Sequence, residues 1–336
     1  MGEWSKGPRL EHPNSANLRE PYTDMTLATP IAQEQRLIPS NASYPSLNPG
    51  TPHRVSRTER PADYPDRGRV PEDFGADYSP VNFVHPRILE GPDWAEPVCF
   101  EEAVQKRAQA MGLEASEIAE LFPSYEPQQI IGDRPRNPRG PTGIEGQGLL
   151  GKHGSNFACD PIVFRRHKDP DSGLWKLQMI AIQRRDNGRW AIPGGMADFG
   201  ESVSQTLARE LREEALGEGV DPEVAVAWEN AFKRMFEENS FAVYSGAVDD
   251  FRNTDTSWME TAVRAFELSE SQAAELKWDM TLHPGDDARD AQWMSLTKEN
   301  LEALNANHGD FVARAVQLWQ ERTGLVVRRD GVLGRC

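Results

Sequence analysis

The stretch from Pro193 to Glu214 decides the fold of this chain. It begins Pro193-Gly194-Gly195-Met196-Ala197-Asp198-Phe199-Gly200-Glu201 and ends Arg209-Glu210-Leu211-Arg212-Glu213-Glu214. Two adjacent glycines permit a tight turn and a close approach of the backbone to a ligand. Ser202 and Gln205 have the spacing of a capping box, which predicts the start of a helix. We therefore predict a turn that leads into a helix over 202–216.

The two faces of this helix differ in character. Val203, Leu207 and Leu211 recur every four residues, which predicts a face buried against a core. Glu210 and Glu214 lie one turn apart on another face, so their carboxylates point the same way and repel each other. A solvated acidic helix face is the plain interpretation of such a pair. Its combination with the Gly-Gly turn favours a functional site instead.

Clustered carboxylates are typical of a binding site for a hard divalent cation. Mg²⁺ divides its coordination shell between carboxylate oxygens, water and substrate phosphate. Glu213 lies three residues after Glu210 and adds to the negative field. Glu201 and Arg209 are spaced so that they can form an ion pair, and we interpret that pair as a structural brace.

Strand and helix patterns alternate after residue 155. Strand patterns occur at Ile162–Arg165, Leu174–Ile182, Trp190–Ile192, Ala242–Ala247, Ala262–Phe266 and Ala291–Ser295. Helical patterns occur at 202–216, 222–237, 269–278 and 309–321. Alternation on this scale predicts an α/β fold, in which helices cover a sheet.

The first half of the chain has a different composition. Residues 1–75 are rich in Pro, Ser, Asn, Arg and Asp without periodicity, which predicts a disordered or loosely ordered segment. We expect a smaller N-terminal domain over 76–155, with one helix at 100–121, and a larger domain over 156–325. Residues 326–336 are expected to form a tail.

The bulk composition excludes several classes of function. The 336 residues carry a formal net charge of −16, which argues against nucleic-acid binding because phosphate backbones need a basic surface. The sequence contains no run of about 18 apolar residues, so it predicts no membrane span. Cys99, Cys159 and Cys336 have no metal or redox spacing, and an odd count fits a reducing compartment. We expect a cytosolic protein.

The spacing from Gly195 to Glu214 resembles the Nudix box, G-x5-E-x7-R-E-U-x-E-E-x-G-U. It departs at Leu216, where the box has glycine. Further motifs resemble the mitochondrial-type ADP-ribose pyrophosphatases and the ADP-ribose-sensing domain of melastatin-type cation channels. These motifs are Arg134–Pro138, Gly146–Gly151, Trp190–Met196, Val248–Asp255, Trp258–Thr261 and Gly285–Ala288. The resemblance runs from about residue 80 to about 322.

The resemblance implies an α/β/α sandwich with a mixed sheet and a metal-dependent pyrophosphohydrolase activity. In this family, water attacks one phosphorus of a diphosphate; ADP-ribose would give AMP and ribose 5-phosphate. The implied cofactor is Mg²⁺, with Mn²⁺ as an alternative. Family relationship also makes a mitochondrial location an alternative to the cytosol.

The resemblance also implies roles for individual residues. Glu210 and Glu214 are the principal metal ligands, Glu213 is a further ligand or a water-orienting base, and the Gly194 carbonyl is an additional ligand. Outside the box, Arg252 is a candidate for holding a phosphate. Asp255, Asp286 and Asp287 are candidates for contacts with ribose hydroxyls, and each alone also suits a surface turn. Arg136 belongs to a segment that would help to enclose the substrate or would be a proline-rich linker.

Some choices stay open from the sequence. The general base comes from the box or from the later loop 249–260, whose acidic residues also suit structural turns. The box alone does not separate ADP-ribose from NADH, a diadenosine polyphosphate or a nucleoside triphosphate. A domain that only senses ADP-ribose is the competing class, and the intact Glu210, Glu213 and Glu214 favour an enzyme over it. We expect a small-molecule nucleotide substrate.

Overall fold

The computed structural model describes residues 32–39, 41–44, 47–48, 63–67, 70–127, 129–198, 201–215, 222–275, 282–284, 288–305 and 307–335. The side chains of 214–215, 222–225, 227 and 275 lie outside this description. The chain divides into two compact units. The first contains Leu47–Ala158 and Ser245–Thr261, and the described residues of the second come from 32–44, Cys159–Tyr244 and Ala262–Cys336. The boundaries expected at 75 and 155 stay a prediction.

Short elements open the described chain. The strands are β1 (Val81–Val84), β2 (Gln129–Ile131), β3 (Arg134–Arg136) and β4 (Ile144–Gly148), and the helices are α1 (Pro86–Leu89), α2 (Phe100–Met111) and α3 (Ile118–Leu121). β1 pairs in parallel with β4, and β2 pairs antiparallel with β3. Phe100, Val104 and Leu121 pack together in a small apolar cluster.

The single helix expected at 100–121 is wrong. Gly112 ends α2 in the left-handed conformation, with φ +68°, and its amide donates to the Ala108 carbonyl. The Leu113 amide donates to the same carbonyl at 3.1 Å. Glycine adopts this conformation without steric cost, so the apolar periodicity continues past a point where the backbone turns. A separate turn of helix, α3, follows.

A larger sheet organises the rest of the chain. Its strands are β5 (Gly154–Lys168), β6 (Trp175–Arg184), β7 (Trp190–Ala191), β8 (Gly195–Met196), β9 (Phe241–Ala247), β10 (Ser257–Glu267) and β11 (Ala288–Ser295). The order is β11-β6-β5-β10-β9, with β7 beside β6 and β8 beside β5. β11, β5 and β7 run antiparallel to β6, and a parallel bridge joins Trp190 to Leu304. The expected α/β fold with a mixed sheet is confirmed.

Helices alternate with the strands of this part of the chain. They are α4 (Val203–Ala215), α5 (Pro222–Asn239), α6 (Glu270–Glu275), α7 (Lys298–Glu302) and α8 (His308–Thr323). Phe232 and Phe236 of α5 are buried against Phe266 of β10. Trp319 of α8 is buried and donates from Nε1 to Glu267 at 2.8 Å. No described helix is long and apolar enough to cross a membrane.

Two expectations at the chain ends need correction. The tail expected at 326–336 instead contributes to the hairpin of β12 (Leu325–Val327) and β13 (Leu333–Arg335), whose valines are buried. Part of the segment expected to be loosely ordered pairs with this hairpin, because the Leu37 amide donates to Val327 at 2.8 Å. Leu37 and Ile38 are buried. An unpaired strand edge accepts a short extended segment whatever the composition around it.

Candidate functional site

The box helix begins with the expected capping box. The Ser202 amide donates to Oε1 of Gln205 at 2.9 Å, and the Gln205 amide donates to Oγ of Ser202 at 3.4 Å. Leu207 and Leu211 are fully buried. The cap fixes where α4 starts and the leucines fix its rotation, so the direction of each carboxylate is set by local sequence.

Arg209 forms the predicted ion pair with Glu201. Its Nε donates to Oε1 of Glu201 at 2.8 Å, and its Nη2 donates to Oε2 at 2.9 Å. Nη2 also donates to the Met196 carbonyl at 2.9 Å. Such a two-point contact is the strong form of an arginine–carboxylate pair. It ties the turn before α4 to the helix.

The same guanidinium reaches two of the carboxylates that are predicted to bind a metal. Nη1 of Arg209 donates to Oε1 of Glu210 at 2.8 Å and to Oε2 of Glu213 at 3.0 Å. These contacts offset the repulsion among glutamates on one helix. The hydrogen bonds with Glu201 are the largest cause that raises the pKa of Arg209 further above its already high value. Arg209 therefore stays charged.

Glu201 stays ionised for a related reason. Burial acts to raise the pKa of Glu201, but hydrogen bonds outweigh it and hold the pKa below its usual value. Besides Arg209, the donors are the Asp198 amide at 3.0 Å and Oγ1 of Thr206 at 2.9 Å. A carboxylate with this many donors is suited to bracing the loop.

The Gly-Gly pair gives room to two carboxylates. A Cβ on Gly195 would lie 2.4 Å from Oε2 of Glu210, and a Cβ on Gly194 would lie 2.0 Å from Oδ1 of Asp160. Only a residue without a side chain leaves this space open at either position. The turn thus brings the carboxylates of β5 and α4 against one short piece of backbone.

Glu210 has a perturbed acidity. Burial raises the pKa of Glu210 to about 7; the charges of Glu213 and Asp160 act in the same direction, and Arg209 opposes them. A buried carboxylate among other carboxylates binds either a proton or a cation. This property favours a cation-binding role.

The residues present fit a divalent cation. The glycines hold open a cradle that a Cβ would fill, and carboxylate and carbonyl oxygens are the ligands that Mg²⁺ prefers. Among the side chains that the structure describes, no three acidic, histidine or cysteine groups form a complete metal cluster. The side chain of Glu214, which the resemblance to the box predicts to be a ligand, lies outside that description.

Two predicted substrate-binding arginines lie in the first unit. Arg252 forms a two-point pair with Asp250, with both contacts at 2.8 Å, and its side chain is about one-third exposed. Arg136 donates to Glu145 at 3.4 Å. Their substrate contacts stay predictions. Asp286 and Asp287 lie outside the described residues.

The expectation that Asp255 contacts a ribose is not supported by its surroundings. Asp255 is fully buried. Oδ1 of Asp255 accepts from the Thr142 amide at 2.6 Å and from Oγ1 of Thr142 at 2.7 Å, and Oδ2 accepts from the Tyr78 hydroxyl at 2.7 Å. Burial is the largest cause that raises the pKa of Asp255. Its carboxylate instead ties together three segments of the first unit.

Other acids of the loop 249–260 are also structural. Glu260 is fully buried, and it accepts from the hydroxyls of Ser124 and Ser155, the Tyr125 amide and Nε1 of Trp258. Burial is the largest cause that raises the pKa of Glu260. The Arg252 amide donates to Asp250 in a local turn. This favours the structural interpretation of both acids over a role as general base.

Two features were missed from sequence. Asp160 is the acidic residue within the otherwise apolar run 157–164 of β5, and that mismatch was the available signal. Arg212 occupies the variable position of the box, where spacing gives no indication of a partner. The structure pairs it with both Glu213 and Glu229.

Two families match this chain. The NUDIX domain family matches residues 162–315, and the NUDT9-like, N-terminal domain family matches residues 73–154. A rat protein, "ADP-ribose pyrophosphatase, mitochondrial", is 37% identical over 283 residues, which cover 77% of this chain and 76% of the rat protein.

Two further relatives extend the comparison. The "Putative nudix hydrolase 6" of Caenorhabditis elegans is 39% identical over 70% of this chain and 82% of its own length. The "Transient receptor potential cation channel subfamily M member-like 2" of Nematostella vectensis is 36% identical over 66% of this chain but only 14% of the channel. The similarity therefore spans most of an enzyme-sized relative and a small part of a channel.

The glycine cradle predicts the effect of Gly195→Ala. The added Cβ lies 2.4 Å from the Glu210 carboxylate and displaces it, so we expect Mn²⁺ affinity to fall about tenfold or more. Electron paramagnetic resonance of free Mn²⁺ measures this. Gly75→Ala is the control, because its Cβ meets nothing within 4 Å. Equal Mn²⁺ affinities in the two variants would show that the space at Gly195 is not needed for metal binding.

The acidity of Glu210 predicts a pH-dependent stability. Its folded-state pKa of about 7 lies above the usual value, so its stabilising contribution is present at low pH and is lost as pH rises through about 7. In metal-free protein, Glu210→Gln should melt about 2–4 °C above wild type at pH 8, the shift that about 1 kcal/mol gives a domain of 150–250 residues. At pH 5, near the usual pKa of a glutamate, most of this difference should disappear.

The matched control for this measurement is Glu302→Gln, the same change at an exposed position. A Glu210→Gln difference that is the same at pH 5 and pH 8 would show that Glu210 does not titrate in this range.

Proposed function

This chain belongs to the Nudix hydrolase family, and from that premise we propose that it hydrolyses ADP-ribose to AMP and ribose 5-phosphate. The observation that carries the proposal is the box of α4, where one arginine orients Glu201, Glu210 and Glu213. The substrate is supported by similarity to the rat pyrophosphatase across the regions of both matched domains.

The proposed cofactor is Mg²⁺, with Mn²⁺ as an alternative. Glu210, Glu213, Glu214 and the Gly194 carbonyl would hold it. When bound, such a cation neutralises charge on a diphosphate and lowers the pKa of an attacking water. The ordered carboxylates reduce the reorganisation that binding requires, because Arg209 already fixes Glu210 and Glu213 in one arrangement.

We propose that Glu213, besides being a metal ligand, orients the attacking water. Its side chain is 41% exposed, so a water molecule can reach it, whereas Glu260 is fully buried and takes four hydrogen bonds. Water attack on one phosphorus breaks the diphosphate P–O bond, and the departing phosphate leaves as part of AMP or of ribose 5-phosphate. No covalent enzyme intermediate is required.

A sensor that binds ADP-ribose without cleaving it is the second candidate, because the sea-anemone channel relative matches much of this chain. Retention of all the box carboxylates favours the hydrolase. The location of the protein in the cytosol, or in mitochondria as the name of the rat relative states for that protein, stays a prediction.

The test measures AMP released from ADP-ribose, NADH and diadenosine tetraphosphate in separate reactions with Mg²⁺. We expect ADP-ribose to be the preferred substrate, and Glu214→Gln to lower its turnover about 100-fold or more, since a metal ligand contributes at least as much as its supporting partners. Glu302→Gln, the same change on exposed α7, should retain activity.

Each other result has a distinct meaning. Faster cleavage of another substrate overturns the assignment of ADP-ribose and keeps the hydrolase. If nothing is cleaved and ADP-ribose raises the melting temperature, the protein is a sensor.

A further inference from the structure

Arg212 links the box helix to α5. Its Nη2 donates to Oε1 of Glu213 at 2.9 Å, and its Nε donates to Oε1 of Glu229 on α5. All three side chains are partly exposed, between 26% and 41%. Glu213 therefore accepts from two guanidiniums, Arg212 at Oε1 and Arg209 at Oε2.

The two arginines use the same edge of the guanidinium differently. The Nε and Nη2 hydrogens point along one edge, which fits both oxygens of a carboxylate. Arg209 gives this edge to one partner, Glu201. Arg212 divides it, with Nε on Glu229 and Nη2 on Glu213. Glu229 thus occupies Nε, so Arg212 cannot contact both oxygens of Glu213 through this edge.

We propose that Glu229 is a positioning residue. It prevents Arg212 from contacting both carboxylate oxygens of Glu213 through its Nε–Nη2 edge, so that Glu213 can bind the catalytic cation. This inference rests on the proposed function, which makes Glu213 a metal ligand or a water-orienting base. A two-point guanidinium contact competes with a cation for the same carboxylate, because the guanidinium hydrogens and the cation bind the same oxygen lone pairs.

The charges around Arg212 also support a role for Glu229 in cation binding. Glu229 neutralises Arg212, so the positive charge beside Glu213 is balanced from the side of α5. Among the described residues, loss of Glu229 leaves Glu213 as the carboxylate that is ion-paired with Arg212. The effect of Glu229 on the cation therefore passes through Arg212 and disappears when Arg212 is removed as well.

The experiment measures Mn²⁺ affinity of the full-length protein by electron paramagnetic resonance of free Mn²⁺. The variants are Glu229→Ala, Arg212→Gln and the double variant. We expect Glu229→Ala to weaken Mn²⁺ binding about tenfold, a typical effect for a partner of a metal ligand. Arg212→Gln alone should bind Mn²⁺ within about twofold of wild type, and the double variant should return to the affinity of Arg212→Gln.

Glu237→Ala is the matched control. It removes a glutamate from the same helix that pairs at 3.8 Å with Lys233, four residues earlier. This variant should bind Mn²⁺ as wild type does. Melting temperatures of all variants monitor folding. If Arg212 and Glu229 only stabilised the packing of α4 on α5, the variants would melt at lower temperature and the double variant would not recover its Mn²⁺ affinity.

The outcomes separate this inference from the proposed function. If wild type binds Mn²⁺ and Glu229→Ala binds it equally well, the role of Glu229 is overturned while the proposed function stands. The role is also overturned if the double variant is as weak as Glu229→Ala. If wild type binds no Mn²⁺, the proposed metal site fails and this inference fails with it.

Discussion

The guanidinium of Arg209 forms the contact on which the arrangement of the box depends. Its five N–H donors are matched by five hydrogen bonds, to Glu201 twice, to Glu210, to Glu213 and to the Met196 carbonyl. Three carboxylates on a turn and one helix would otherwise repel each other. Because one rigid cation contacts all three, their relative positions follow from the position of Arg209.

The position of Arg209 follows in turn from two local features. The Ser202 cap sets where α4 begins, and the buried Leu207 and Leu211 set which face points inward. The neighbouring glycines then decide how near the carboxylates can come to the backbone. Any side chain at Gly194 or Gly195 would occupy space that Asp160 or Glu210 now fills. Steric requirements therefore explain the glycines and leucines of the motif, and electrostatic requirements explain its arginine and glutamates.

Sequence predicted the parts of this site that depend on neighbours along the chain. The capping box, the leucine stripe and the Glu201–Arg209 pair all arise from spacing within one turn and one helix, so local sequence is enough to predict their geometry. Asp160 could not be predicted in this way, because it reaches Gly194 only through the pairing of β8 with β5. Glu229 was missed for the same reason, since it meets Arg212 through the packing of two helices.

The choices that sequence left open, and the elements that it predicted wrongly, also have a physical explanation. Asp255 and Glu260 were considered for function as acidic residues in a loop, but both are buried and satisfied by donors from distant segments. Burial of that kind depends on tertiary structure. At Gly112 the apolar periodicity continued while the backbone entered the left-handed region and ended the helix. The Leu37 segment had too little apolar sequence to predict its pairing with Val327.

The most direct test of the central role of Arg209 is the rate of ADP-ribose hydrolysis by Arg209→Lys in Mg²⁺. Lysine keeps the charge, but its single ammonium lacks the planar fork that contacts Glu201, Glu210 and Glu213 together. We expect a loss of about 100-fold in kcat/KM, the order of effect that follows when catalytic groups are misplaced by about 1 Å. Activity within about twofold of wild type would contradict this role, because charge alone would then suffice to order the box.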